Sequence, residues 1–160
     1  MLDKTDAKNT GAVVFNSLAP TSSVINVGTA AATNGSTNDM IAYCFSPVDQ
    51  YSSFGVYTGN GSADGPFVAL SFAPRWIMFK NTTSAVGWYI LDAARNEYNV
   101  ANTYLFANTS GAEGNASTST ADFLSNGFKL RGTGDNVNSS NNVYIYAAFA
   151  EHPFKTARAR

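Results

Sequence analysis

Asp92 and Arg95 are the two side chains whose types and spacing come closest to a chemical site in this sequence. They follow the apolar run Trp88-Tyr-Ile-Leu, and a carboxylate with a planar guanidinium fork three residues on can hold a sugar or a peptide. The same pair can lock a turn, with Asp92 capping the backbone after it and Arg95 anchoring it, and this second reading is preferred. Carbohydrate binding would add aromatic platforms and neutral amides in a shallow groove. Tyr51, Tyr57, Tyr98 and Tyr104 lie in or beside loop-like stretches and are the rings expected at the surface. The ligand-binding set read from the sequence is therefore Tyr57, Asn60, Asp92, Arg95, Tyr98 and Tyr104, although exposed tyrosines equally suit contacts between subunits.

Hydrolytic chemistry finds less support. A retaining glycosidase needs two carboxyl groups about 5 Å apart. Asp92, Glu97, Glu113, Asp122 and Glu151 are isolated, with no two at the i, i+2 spacing that shares a strand face. No catalytic residue and no enzymatic activity are expected. Glu151 ends an apolar run just before His152, where it pairs with Arg75 or Arg131 or marks the exit of a strand into solvent. One cysteine, Cys44, and one histidine, His152, exclude an intrachain disulfide and a Cys/His zinc site. Cys44, inside Ile-Ala-Tyr-Cys-Phe, reads as a small buried hydrophobe. No cofactor is expected. Calcium is the ion that Asp135, Asn136 and Asn138, or Asn60 with Asp64, would suit, but neither loop has the carboxylate density of a dedicated site.

These groups need a frame, and the composition indicates which. Only 13% of the residues are charged, about half the usual share, and polarity comes instead from Asn, Ser, Thr and Gly. Such residues suit turns and strand faces rather than helix surfaces, so the chain is expected to be all-β, one domain over residues 1–160. A net charge of −1 leaves no electrostatic footprint for nucleic acid. Lys155, Arg158 and Arg160 read as a solvated basic tail over 155–160, and residues 1–10 as a polar leader. No apolar run approaches the roughly 20 residues of a membrane-spanning helix, so no membrane insertion is expected.

Periodicity predicts strands over residues 12–15, 23–27, 40–45, 54–58, 67–72, 76–80, 88–92, 103–106, 128–131 and 143–151. Residues 93–99 and 120–124 have a brief helical look. Trp76-Ile-Met-Phe is apolar on both faces, so it belongs inside a two-sheet sandwich. Alternation places Trp76, Met78, Trp88, Ile145 and Phe149 mostly inside.

The order of motifs is more specific than any one of them. Ile-Ala-Tyr-Cys-Phe (41–45), Phe-Gly-x-Tyr-x-Gly-Asn-Gly (54–61), Ser-Phe-x-Pro-x-Trp (71–76), Trp-x-Ile-x-Asp-x-x-Arg (88–95), Leu-Ser-Asn-Gly-Phe-x-Leu-Arg (124–131) and Tyr-Ile-Tyr-x-Ala-Phe-Ala-Glu-x-Pro-Phe (144–154) follow one another. In this order the chain, from about Thr21 onward, resembles a concanavalin A-like, lectin/glucanase-type jelly roll of tailed-bacteriophage tail and fibre proteins. Ser71 departs from the glycine usual there. The resemblance also implies a Trp-bearing strand ahead of Leu2, so the chain is expected to be a piece of a longer protein. Glycanases of this fold carry a Glu-x-Asp-x-x-Glu strand, which nothing here matches.

The resemblance implies a non-enzymatic structural protein located in the virion, a tail, fibre or capsid-surface module for display and adhesion. Its partners would be other virion proteins and a host-surface glycan, and its state a homo-oligomer, with a trimer as the leading guess. The alternatives are a glycan-cleaving jelly roll and a purely architectural decoration subunit.

Overall fold

Short apolar-rich runs turn every second side chain to one face, and most of the nine strands that pair into two antiparallel sheets among the described residues are of this kind. The structure is a computed structural model that describes residues 4–9 and 11–152; residues 1–3 and 10 of the leader, Phe154 and the basic cluster Lys155, Arg158 and Arg160 lie outside that range. The strands are β1 (Ser52–Thr58), β2 (Phe67–Ala69), β3 (Pro74–Asn81), β4 (Tyr89–Asp92), β5 (Thr103–Phe106), β6 (Gly114–Asn115), β7 (Ala121–Leu124), β8 (Gly127–Leu130) and β9 (Val143–Ala150). One sheet has the order β1-β9-β3-β4-β5-β6 and the other β2-β8-β7. They make a β-sandwich.

Ile77, Phe79, Tyr89, Leu91, Tyr144 and Ala148 of the larger sheet meet Phe128 and Leu130 of the smaller one in a single apolar core. Tyr57 stacks on Tyr144 with ring centroids 5.0 Å apart, and Phe79 meets Phe128 edge-on at 5.6 Å. This is the opposite face from the one expected. Trp76, Met78, Trp88 and Phe149 are half-buried and Ile145 is exposed. With both faces apolar, alternation alone leaves the choice open, and what fixes it is the docking of Phe128 and Leu130 and the reach of the tyrosine hydroxyls. Tyr57 donates to the carbonyl of Val137 (2.6 Å), Tyr89 to Ser119 (2.8 Å) and Tyr144 to Asp135 (3.0 Å).

Burial pushes all three phenols above their ordinary range, Tyr57 and Tyr89 strongly. A raised pKa favours the protonated phenol in the fold, so the stabilisation is complete below about pH 10 and is lost as pH rises through the native values. In an alkaline titration followed by phenolate absorbance, three of the eight tyrosines should lag behind the others and ionise together with unfolding. Independent ionisation of all eight near pH 10, the ordinary range of a phenol, would contradict the burial.

Residues divide into two compact units: one comprises the described residues through Ala7 with those from Ser46 onward, the other runs from Lys8 to Phe45. The sandwich belongs to the first, so the strands occupy less of the chain than the single span expected. Within it the Lys80 ammonium is buried and donates to the carbonyls of Thr5 (3.0 Å), Asn81 (2.9 Å) and Val86 (2.9 Å), which holds residue 5 on β3. Desolvation lowers its pKa, against the pull of Asp6.

The second unit contains two single turns of helix, α1 (Ala12–Phe15) and α2 (Ala31–Asn34). Gly28 and Ala30 donate to the carbonyls of Val14 and Val13 at 2.9 Å, and Thr33 Oγ1 donates to Val14 at 3.0 Å. Residues 12–15 are thus a helical turn rather than a strand, ended by a left-handed Asn16, because four residues are too few for alternation to separate the two. Residues 23–27 and 40–45 form no strand, and Cys44 is exposed rather than buried. At 23–24 the Thr21 hydroxyl accepts both backbone N–H groups, a side-chain turn that competes with a ladder. The helical look of 120–124 also fails: Ala121–Leu124 is β7, paired with β8 through a tight turn, and 93–95 is a hydrogen-bonded turn.

Candidate functional site

β4 ends on Asp92, whose buried carboxylate accepts the backbone N–H groups of Ala94 (3.0 Å) and Arg95 (2.9 Å). The Arg95 guanidinium closes back on Asp92 and gives its Nε to Glu113 at 2.5 Å. The Glu113 hydrogen bond, then those of Asp92, raise the arginine pKa. Asp92 and Arg95 therefore form the turn lock, with its oxygens engaged inside the protein. Asp92→Asn keeps a capping oxygen but weakens the ion pair, and should lower stability by about 1–2 kcal/mol in urea unfolding. An unchanged midpoint would return the pair to the list of ligand donors.

The lock starts a connection pinned by its own amides. Asn96 Oδ1 accepts from Asn102 N (3.1 Å) and Thr103 N (2.8 Å), while Asn99 exchanges two hydrogen bonds with the Phe123 backbone at 2.8 and 2.9 Å. Opposite it, β3 shifts register between Pro74 and Trp76, and Arg75 accepts at its carbonyl from Ala93 N (2.9 Å). Beyond β9, Glu151 N donates to Ala73 at 2.9 Å and its carboxylate meets Arg75 Nη1 at 3.3 Å. Of the two partners expected for Glu151 the structure selects Arg75; Arg131 instead pairs with Asp122 at 2.5 Å.

These pieces enclose an open cleft of about 520 Å³, lined among others by Arg75, Asn96, Glu97, Asn99, Phe123 and Glu151. Among the described residues Glu97 has no hydrogen-bond or ion-pair partner, and the Arg75–Glu151 pair is solvent-exposed, so all three groups are open to a ligand. Two carboxylates, one guanidinium and an aromatic side chain can together bind a polar molecule with one apolar face. Local sequence gave little sign of it, because its lining comes from four stretches of the chain. The one cue was Arg75, a charge between a proline and a strongly apolar strand.

The ligand-binding set chosen from the sequence does not converge. Tyr57 lies in the core, contrary to the exposed ring expected of it, and Tyr104 is half-buried, stacked on Tyr89 at 4.9 Å. Both occupy inward positions of strands, which their nearness to loops concealed. Tyr98 is 83% exposed, in the connection that lines the cleft, and Tyr51 is exposed, edge-on to Phe149 at 6.0 Å. Asn60 belongs to a different place, a latch with the fully buried Asn138. Asn60 N donates to Asn138 Oδ1 (2.9 Å), and Asn138 Nδ2 faces Asn60 Oδ1 (3.1 Å), Ser62 O (2.8 Å) and Gly132 O (2.9 Å).

The latch bears on calcium, because it joins the two loops considered as donors and occupies the amide oxygens of Asn60 and Asn138 in hydrogen bonds. Asp64, fully exposed, pairs with Lys129 at 2.8 Å, and that hydrogen bond lowers its pKa. Among the described residues no three His, Cys, Asp or Glu side chains gather as a metal-holding group.

The sequence profile of a protein family described as "Domain of unknown function (DUF7483)" matches residues 1–153. Neither the curated proteins nor the solved structures contain a match.

Proposed function

The chain belongs to the DUF7483 family, and we propose that its sandwich is a concanavalin A-like jelly roll serving as a non-enzymatic display and adhesion module on the surface of a phage virion. The cleft between Arg75, Glu97 and Phe123 is the observation that carries the adhesive part. A saccharide offers vicinal hydroxyls and one apolar ring face, and this cleft sets a free carboxylate and an exposed guanidinium beside an aromatic side chain. The connection around it is held by Asp92, Asn96 and Asn99, so binding would order little backbone and lose little entropy. The virion placement rests on the ordered motifs between residues 41 and 154, and two stacked sheets agree with the architecture those motifs imply.

A glycan array probed with the intact chain tests the reading. Binding to bacterial surface glycans is expected, and Arg75→Ala or Glu97→Gln should weaken it about tenfold, the value of one charge-assisted hydrogen bond. Binding to no glycan, or binding indifferent to both substitutions, would overturn it.

A second reading, glycan cleavage, gains one observation: Glu97 and Glu151, far apart in sequence, line the same cleft. Release of reducing sugar, abolished in both Glu97→Gln and Glu151→Gln, would establish it in place of adhesion.

A further inference from the structure

The cleft lining holds one guanidinium, that of Arg75, and two carboxylates, those of Glu97 and Glu151, so its net charge is −1. Glu97 is the uncompensated member. Arg75 is engaged with Glu151 through the single oxygen Oε1 at 3.3 Å, and Arg95, two residues before Glu97, is taken up by Asp92 and Glu113. The Glu97 carboxylate stays exposed, without a counter-charge among the described residues.

The amides that a neutral saccharide would meet are already engaged inside the protein. Asn96 Oδ1 accepts from the backbone of Asn102 and Thr103 and its Nδ2 donates to Asn102 Oδ1 at 3.2 Å, while both ends of the Asn99 amide bond the Phe123 backbone. Apart from the Ser125 hydroxyl and the remaining N–H groups of Arg75, the lining side chains still offer only carboxylate oxygen, both atoms of Glu97 and Oε2 of Glu151. Ionised carboxylates accept and never donate, so the matching ligand is rich in donors and positively charged. A primary ammonium supplies three N–H donors and one charge in a compact group. An anionic sugar fits badly, because it would have to part Glu151 from Arg75 and set its own charge beside two carboxylates.

We infer that the cleft selects an amino sugar whose amine is free, an unacetylated hexosamine unit, with its ammonium on Glu97 and its apolar ring face on Phe123. This assignment rests on the adhesive reading of the same cleft, to which it adds the chemical class of the ligand. Phe123 is half-buried and packed against the core, so the surface it presents is held in place. The connection bearing Glu97 is pinned on either side, at Asn96 and Asn99, which limits how far the carboxylate can travel. Acetylation of the sugar removes the charge and all but one of the N–H donors, so the acetamido form loses the Glu97 contact. Recognition thus depends on the acetylation state of the sugar.

Isothermal titration calorimetry of the full chain tests this with pairs of tetrasaccharides that differ only in acetylation: β-1,4-linked glucosamine and α-1,4-linked galactosamine, each beside its N-acetylated counterpart. In at least one pair the free amine should bind about tenfold more tightly, as for one charge-assisted hydrogen bond. Glu97→Gln should bring that affinity down to the level of the acetylated partner, whose own affinity should stay within about twofold. Asp64→Asn, which neutralises a fully exposed carboxylate outside the cleft, should leave the preference intact. A preference lost equally in both variants would mean diffuse attraction to an acidic protein and would overturn the inference. So would equal binding within both pairs, binding to none of the four sugars, or a Glu97→Gln effect shared by both members of a pair. Array glycans bound without regard to a free amine would refute this assignment and leave adhesion standing, whereas an array with no glycan bound would remove both.

Discussion

Asn138→Asp should destabilise the protein more than Asn138→Ala, although it exchanges only an NH₂ for an oxygen. The native amide is fully buried and its nitrogen faces three oxygens, those of Asn60, Ser62 and Gly132, at 2.8–3.1 Å. Alanine leaves the carbonyls of Ser62 and Gly132 and the Asn60 N–H short of a partner, while Asn60 Oδ1 keeps the bond from Ser62 N at 3.0 Å, and the loss should cost about 3 kcal/mol. An ionised carboxylate keeps the bond from Asn60 N but sets a negative charge against three acceptors in a dry site. The loss should therefore exceed that of alanine at neutral pH and shrink as pH falls, because a protonated carboxyl recovers a donor. Denaturant midpoints of the two variants at neutral and acid pH decide the matter. If aspartate proves the milder change, residue 138 does not act as a donor to these three oxygens.

The second large effect tests which face of the sandwich is inside. Phe128 makes edge contacts with Phe79, Tyr57 and Tyr146 at centroid distances of 5.6, 6.2 and 5.4 Å. Truncating it empties the junction of the two sheets, and Phe128→Ala or Phe79→Ala should cost about 3–5 kcal/mol. Met78 neighbours Phe79 in β3 but points to the other face and is half-buried. Met78→Ala should cost about 1 kcal/mol, since less surface is removed from a packed environment. Equilibrium unfolding of the three variants gives the order. A reversed order, with Met78 the costly position, would restore the arrangement that alternation alone suggested.

That contrast shows what the sequence could and could not say. The strands from Ser52 onward were legible wherever large apolar residues recur between Gly- and Asn-rich turns, and β5 falls on the predicted residues 103–106. Their faces were not, because in Trp76-Ile-Met-Phe either alternate set could be buried. β7 was misread because Thr-Ala-Asp-Phe-Leu has no alternation of its own; its pairing with Gly127–Leu130 across a turn makes it a strand. Residues 12–15, 23–27 and 40–45 suggest strands for a related reason, since short apolar runs look like strands whether or not an edge meets them. The turn lock of Asp92 and Arg95 was legible, being local. The cleft was not, since Arg75, Glu97, Phe123 and Glu151 come together only after β3, β4, β7 and β9 are in place. Tyr57 and Tyr104 show the converse: chemistry attractive on a loop is ordinary packing when the residue turns inward.

The position of β9 has a mechanical consequence. It is the last strand among the described residues, yet it lies inside the sheet, bonded along its length to β1 on one side and β3 on the other. Tension applied to the chain beyond Ala150 cannot peel an outer strand away one bond at a time. It loads two ladders together in shear, so the grip on whatever is tethered there would fail only when both give way at once.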